Sequence, residues 1–262
     1  MKQSAYALLS LVGLIALSPS YILASSNSEN PESYRLELSA SAWLMNTNGL
    51  IRADGTPINL ISDLGIYQRQ KMYDGRIVLK AKKHRFVIEA MPISIRGLNT
   101  INRSVSYFGE NYSFSETLKS SAHMNYIYGG FHKDWFSGKM GRIGSSLGAA
   151  YLGLSGSIDG EQSGLEKSKK IPFGVPLAGI DFRLYLIPGK RWLAMEGAVR
   201  GLPAGSYGHW IEASGGVGGW IGPVGAQIGY RELLIDGHET HASANGVNVR
   251  MVGPMATVFW NW

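Results

Sequence analysis

The chain has 262 residues, including 34 glycines and no cysteine, and its formal net charge is +6. The lack of cysteine excludes a disulfide-stabilised scaffold, and the scattered lysines and arginines do not form the basic cluster of a nucleic-acid-binding protein. The length fits one all-β domain or two smaller domains.

The first residues predict export. Lys2 precedes an apolar run from Ala5 to Leu17, and small residues follow near Ala24, which is the order typical of a signal peptide. The run is too short and too interrupted for a membrane anchor. We therefore expect residues 1–26 to be a cleaved signal peptide, residues 27–33 a flexible lead-in, and residues 34–262 a single folded domain.

Apolar and polar residues alternate along the rest of the chain. At its start Leu36 and Leu38 share one phase while Arg35 and Glu37 share the other, which predicts a half-buried strand. Ten such segments occur, each long enough to cross a bilayer, for which about 9–11 tilted residues suffice. They are predicted at residues 34–46, 72–82, 85–96, 124–136, 142–158, 171–186, 192–202, 210–221, 224–235 and 247–262.

The connections between these strands alternate in length. Short links are predicted at 82–84, 137–141, 187–190 and 222–223, and longer polar ones at 46–71, 97–123, 159–170, 203–209 and 236–246. Short turns at one end, long loops at the other and an even strand number are typical of an antiparallel outer-membrane barrel. Within the second long loop, residues 104–107 and 111–114 flank a glycine-containing turn, so we expect a protruding hairpin there.

Tryptophans are concentrated near the short turns and in the final strand. Trp260 and Trp262 share one phase, and this aromatic end resembles the C-terminal signature of bacterial outer-membrane barrels, which the insertion machinery recognises. With Trp135 they are expected to form an aromatic girdle at the membrane interface. Strict alternation places Trp192 and Trp220 on the polar phase, so either the strands bulge there or those rings face inward.

The polar phase of the strands is expected to face the lumen, because a charge on the lipid face costs about 2–4 kcal/mol at the membrane centre. Acids and bases are nearly balanced on this phase, which favours an ion-pair network that fills a narrow barrel; a narrow polar channel is the alternative. The predicted network comprises Arg35, Glu37, Arg76, Lys80, Glu89, His132, Asp181, Arg183, Glu196, Arg200, Glu212 and Arg231.

Two short motifs suggest hydrolases. His241 and Ser243 resemble the His-x-Ser pair of lipid A deacylases, but no glutamate follows them. Asp236 and His238 resemble the Asp-x-His element of omptin proteases, but the chain lacks the Asp-x-Asp pair that those enzymes need. A polar loop and a turn are the better interpretations. With Glu239, the two histidines match no strong metal motif, and we predict no catalytic residue, metal or cofactor.

Residues 171–202 and 36–65 resemble a broad group of uncharacterised bacterial outer-membrane barrel proteins in strand rhythm and in the placement of glycine and proline. The resemblance implies a barrel of about ten strands in a Gram-negative outer membrane, and it supplies no catalytic residue and no ligand. As partners we expect outer-membrane lipid, lipopolysaccharide and, during assembly, the insertion machinery, and no nucleic acid. We expect a non-enzymatic barrel with a structural or surface-interaction role. A small-solute channel and a surface hydrolase remain the alternatives.

Overall fold

The computed structural model describes residues 30–53, 55–67, 69–101, 104–107, 109–112, 115–203, 208–238 and 246–262. The expected signal peptide lies outside this part of the chain. No helix within the described ranges is long and apolar enough to span a membrane. The described residues form the strands β1 (Leu36–Ala53), β2 (Thr56–Asn59), β3 (Arg69–Ala81), β4 (His84–Thr100), β5 (Val105–Tyr107), β6 (Glu110–Tyr112), β7 (Thr117–Gly138), β8 (Gly141–Gly160), β9 (Glu166–Tyr185), β10 (Ala194–Pro203), β11 (Gly208–Ile221), β12 (Val224–His238) and β13 (Gly246–Asn261).

Ten of these strands, all except β2, β5 and β6, form one antiparallel sheet that closes on itself. Closure occurs where β13 pairs with β1, with Trp260 opposite Leu38, while β3 occupies the other edge of β1. The predicted ten-stranded barrel is therefore confirmed. Each strand extends further toward the long-loop end than alternation alone predicts.

The connections sort by length only in part as predicted. Pairs of residues join β3 to β4, β7 to β8 and β11 to β12 at one end, where Gly222 supplies the positive φ of +61° that the last of these turns requires. The β9–β10 connection at the same end is longer and comprises residues 186–193. At the opposite end the β1–β3 and β4–β7 connections are long, whereas residues 161–165 and 204–207 form shorter links. Because outer-membrane barrels keep short turns in the periplasm and long loops outside the cell, we call these ends periplasmic and extracellular.

The outward face of the barrel is apolar, with an aromatic girdle at each border. Trp135 and Trp262 are 59% and 73% exposed near the periplasmic end, and Trp260, on the same strand as Trp262, is half-buried. Tyr73 and Tyr151 mark the extracellular border. Amphipathic rings prefer the membrane–water interface, so the band between the girdles is the part that spans the hydrocarbon.

Strand alternation did not decide whether Trp192 and Trp220 face the membrane or the lumen, and the two residues take different positions. Trp192 lies in the β9–β10 connection and is exposed, whereas Trp220 is buried and faces the lumen. A register shift between Asp134 and Phe136 marks a bulge in β7. Trp135 lies on the outward phase of Phe131, and the bulge turns Phe136, which alternation would place inward, outward as well.

The seam between β1 and β13 is closed from inside by a tryptophan. The indole of the buried Trp43 donates a hydrogen bond to the carbonyl oxygen of Gly253 (3.2 Å). A Cβ at Gly253 would collide with the backbone carbonyl of Leu44 across the seam. Glycine at this position therefore lets the two strands approach closely enough to pair.

The extracellular segments fold back into the mouth of the barrel. The predicted hairpin exists as β5 and β6, but it does not protrude, because Tyr107 and Tyr112 are buried. The Tyr112 hydroxyl donates to the Ile158 carbonyl (3.2 Å), and burial raises the pKa of this tyrosine to about 12, so the hydroxyl stays protonated. The segment after β2 is held similarly: the Ser120 hydroxyl donates to the Leu64 carbonyl (2.7 Å).

Candidate functional site

The lumen is the candidate functional site, and its periplasmic part holds a network of buried ion pairs. Strand alternation points these side chains inward, where no lipid can reach them. We call this set the floor network; it consists of Glu32, Glu37, Lys80, Arg85, His132, Asp134, Arg142, Asp181, Arg183 and Glu196.

Arg183 lies at the centre of the floor network. Its guanidinium donates two hydrogen bonds to the Glu37 carboxylate (2.8 and 3.1 Å) and its Nε donates to Glu196. The side chain is fully buried and stacks over the ring of Trp220, with 4.6 Å between the guanidinium carbon and the ring centroid. This inward tryptophan therefore covers the cation and separates it from the periplasm.

A second part of the floor network surrounds Asp181. Its carboxylate accepts a hydrogen bond from Arg85 (2.7 Å), lies 2.9 Å from the Nδ1 atom of His132, and also accepts from Arg142. Arg85 reaches Asp134 as well, through its Nε at 2.9 Å. Each carboxylate thus has at least one cation in direct contact, as burial of charge requires.

Glu32 enters the floor network from the segment before β1. Its carboxylate accepts from Lys80 (2.9 Å) and from the Tyr185 hydroxyl (2.7 Å), and its own side chain is fully buried. Burial alone would raise the pKa of Glu32, but Arg183, Arg142 and Lys80 hold it well below its usual range. Residues 30–33, which belong to the expected flexible lead-in, therefore close the periplasmic end of the barrel.

A second group of buried charges, the central network, lies above the floor network and consists of Asp74, Glu89, Arg200, Glu212 and Arg231. Arg231 donates to Asp74 (3.0 Å), to Glu89 (2.6 Å) and to Glu212. Arg200 joins Glu89 (2.6 Å) to Glu212 (2.7 Å). The shared carboxylates tie strands from opposite sides of the barrel together across the lumen.

A polar cavity of about 90 Å³ lies between the two networks and has room for a few water molecules. Arg76 lines it, with no ion pair to any described residue and a buried Nε that lacks a hydrogen-bond partner. Serines at positions 39, 146 and 214 line the same space. Charged members of both networks line this cavity, among them Asp181 and Glu196 from the floor network and Glu89 and Arg231 from the central network.

The extracellular part of the lumen is apolar. Tyr126 marks the boundary: its hydroxyl donates to Glu212 (3.0 Å), while its ring stacks on Trp210 at 6.0 Å between centroids. Beyond it, strand and loop side chains form one buried cluster, which we call the apolar plug. The plug includes Met45, Ile58, Leu60, Leu64, Ile66, Met91, Ile93, Ile101, Tyr107, Tyr112, Leu118, Met124, Leu152, Leu233 and Met251.

The apolar phase of the strands switches where they leave the membrane. In β4, Phe86 and Ile88 face outward, whereas Met91 and Ile93 face inward. The same switch occurs in β12 after Tyr230. Below the switch the barrel is apolar outside and polar inside, and above it the arrangement is reversed, as expected for a sheet that enters water.

The structure brings together most of the residues predicted for the lumen network. Arg35 is the exception, because its side chain is exposed before β1 begins. Arg76 faces the cavity rather than a carboxylate. The remaining predicted residues lie in the floor network (Glu37, Lys80, His132, Asp181, Arg183, Glu196) or the central network (Glu89, Arg200, Glu212, Arg231).

Several members of the networks were not predicted. Asp74, Arg85, Asp134 and Arg142 share the phase of their predicted neighbours, so strand alternation contains the signal for them. Glu32 precedes the first strand, where no alternation exists, and only the three-dimensional fold reveals its role.

Neither hydrolase motif acquires catalytic geometry in the described residues. Asp236 lies opposite His209, with 3.9 Å between Oδ2 and Nδ1, at the end of the β11–β12 pair. The side chain of His238 and residues 239–245, including His241 and Ser243, lie outside the description. No cluster of three or more potential metal ligands occurs among the side chains that are described.

No family model and no curated protein matches this chain. Solved structures with a similar arrangement include the outer membrane protease OmpT from Escherichia coli, with 8% identity, a TM-score of 0.48, and coverage of 90% of this chain and 100% of that one. The attachment invasion locus protein Ail of Yersinia pestis, in complex with a heparin analogue, has 8% identity and a TM-score of 0.38, covering 87% and 99%. The Pseudomonas putida toluene transporter TodX has 6% identity and a TM-score of 0.36, covering 87% and 90%.

These structures are similar to this chain at the level of fold alone. The molecule itself supplies the membrane assignment. Its sheet is closed, its outward band is apolar between two aromatic girdles, and the charges of its membrane-spanning part face inward. The chain is a ten-stranded transmembrane β-barrel of the outer-membrane type.

Proposed function

We propose that this barrel is a non-conducting, non-enzymatic protein with a structural or surface-interaction role, and that its extracellular segments provide the contact surface. The filling of the lumen carries this proposal. Two ion-pair networks and the apolar plug occupy successive levels of the interior.

A solute that crossed this lumen would have to displace buried ion pairs. Separating one such pair leaves a charge without its partner, which costs about 3–5 kcal/mol. A selective pore would also favour one sign of charge along its wall, whereas acids and bases alternate through both networks here. Both considerations favour a structural interior over a narrow channel.

The extracellular segments are supported from beneath by the apolar plug. Ile58 and Leu60 fix the segment around β2, and Tyr112 fixes the β5–β6 hairpin. Above them, Tyr67 and Leu98 are 60% and 50% exposed. A surface held in this way loses little conformational freedom when a partner binds, which favours recognition.

Planar-bilayer recording tests the closed lumen directly. We expect no stepwise current from the wild-type protein under conditions in which an open porin, measured in parallel, conducts. Stepwise currents whose size changes in Glu196→Gln would contradict the proposal, because this carboxylate borders the cavity between the networks.

Cells without the protein test the structural role. We expect greater detergent sensitivity, restored by the wild-type chain, and unchanged uptake of small solutes. Reduced solute uptake with unchanged detergent sensitivity would favour the channel instead.

A further inference from the structure

Two cations at the extracellular end of β3 face the membrane border. Arg69 and Lys71 are exposed, and they follow the outward phase of Tyr73 in the extracellular girdle. Neither makes an ion pair or hydrogen bond with any described residue. Two other outward cations in this region are neutralised: Lys119 pairs with Glu161 (2.6 Å) and Arg250 pairs with Glu232 (2.7 Å).

The described side chains opposite these two cations on β1 carry no negative charge. Lys71 lies opposite Leu44 and Arg69 lies opposite Asn46. The extracellular end of β3 therefore presents the two positive charges of Arg69 and Lys71 at the level of the outer-leaflet headgroups.

An apolar groove of about 530 Å³ begins directly below these two cations on the lipid-facing wall. Its upper wall is Tyr73, and its base crosses β1 and β13 at Ala42 and Ala256, which are paired with each other. The exposed Ile228 and Val217 continue the row on β12 and β11. Small side chains between larger ones make the recess.

The distance between groove and cations suits one amphiphilic ligand. Lys71 is two residues above Tyr73, a rise of about 7 Å along the strand, and Arg69 is two residues higher still. A phosphate group is an excellent partner for an arginine fork beside a lysine, and an acyl chain is the natural occupant of a lipid-facing apolar recess. Few ligands other than a membrane lipid present both groups in this order.

We infer that Arg69, Lys71 and the groove bounded by Tyr73 and Ala42 form a binding site for the phosphorylated, acylated glycolipid of the outer leaflet. The cations bind its phosphate and the groove receives an acyl chain. This site lies on the outer wall, so it does not depend on whether the lumen conducts.

Native mass spectrometry of the folded protein in detergent tests the site, with bis-phosphorylated lipid A as the probe. We expect one tightly bound lipid A on the wild type, and affinity at least about tenfold lower in the Arg69→Gln/Lys71→Gln variant. The Lys82→Gln/Lys133→Gln variant removes the same charge from the exposed periplasmic end and should bind like the wild type. If both variants lost lipid A affinity equally, the net charge of the protein would explain the binding, and the assignment of this site would be overturned.

Two further probes separate the phosphate from the acyl chain. Dephosphorylated lipid A and inorganic phosphate should each bind at least about tenfold more weakly than lipid A. Equal binding by either one would overturn the proposal, since it would show that one half of the site suffices.

Filling the groove with Ala42→Phe should weaken lipid A binding without affecting folding, because this side chain faces lipid. A stable dimer of the wild type that Ala42→Phe abolishes, with lipid binding unchanged, would assign the groove to a second copy of the chain and overturn the proposal. A heat-modifiable band for every variant verifies that each barrel is folded.

Discussion

Replacing Arg183 with methionine tests whether the floor network excludes water. Arg183 holds both oxygens of Glu37 at 2.8 and 3.1 Å, and the exposed fractions of the two side chains are 0% and 1%. Arg183→Met keeps most of the apolar volume but leaves the Glu37 carboxylate without its main partner. An unpaired buried charge costs about 3–5 kcal/mol, so the free energy of unfolding should fall by that amount.

The exposed pair of Arg250 and Glu232 supplies the matched control. Its side chains are 59% and 32% exposed, so water and salt screen the interaction. Arg250→Met should therefore lower the free energy of unfolding by about 0–1 kcal/mol. Comparing the losses of unfolding free energy in Arg183→Met and Arg250→Met shows how far the floor network is shielded from water.

A second substitution identifies the cause of the loss. Adding Glu37→Gln to Arg183→Met removes the more deeply buried of the two orphaned charges, since the Glu196 side chain is 14% exposed whereas that of Glu37 is 1% exposed. We expect the double variant to regain part of the stability that Arg183→Met loses. Guanidinium titration in lipid vesicles, followed by tryptophan fluorescence, measures all four proteins. Trp220 lies against the substituted side chain and reports locally. A loss below about 1 kcal/mol in Arg183→Met would refute the exclusion of water from the floor network and favour a hydrated channel.

Three other predictions follow from the barrel. Its folded form should migrate differently from the boiled form on a detergent gel, because a closed sheet resists detergent until heated; identical migration would contradict the fold. Gly253→Ala should lower the free energy of unfolding by about 1–3 kcal/mol, since the new Cβ meets the Leu44 carbonyl across the seam, whereas Gly75→Ala, which meets nothing, should be neutral in the same titration. Ionised Glu32 contributes to the free energy of unfolding, because its pKa in the folded state is depressed. This contribution is complete above the ordinary pKa of 4.5 and is lost as the pH falls below that value. Unfolding measured from about pH 5 to pH 3 should therefore depend less on pH in Glu32→Gln, and an unchanged slope would exclude this contribution.

Strand alternation predicted the barrel because the membrane enforces it. A charge in the hydrocarbon is so costly that each spanning strand carries apolar residues on its lipid-facing phase and charged residues on its lumenal phase. In β4, Ile88 faces lipid and Glu89 faces the lumen. The even strand number then follows from antiparallel closure. The inward position of Trp220 could not be predicted in this way, since a large aromatic ring on the polar phase is also compatible with a bulge.

The extracellular part of the lumen escaped prediction for a physical reason. Met91 and Ile93 continue the phase of Glu89, so a single rule for the whole strand assigns them to a polar interior. The apolar phase faces outward only where lipid surrounds the strand, and it faces inward where water does. Ser94 and Arg96 on the outward phase mark the change from lipid to water in β4. Contacts between distant segments, such as Tyr112 with Ile158, carry no local signal at all.

The switch of phase along the strands divides the molecule into two portions that respond differently to temperature. In the bilayer, lipid is as apolar as the side chains, so burial there gains nothing from the release of water. The apolar plug is surrounded by a water-exposed wall, and its burial carries the heat-capacity change of an ordinary soluble core. Cooling therefore weakens the association that holds the extracellular segments in the mouth, while the membrane-embedded wall beneath them lacks this source of cold sensitivity.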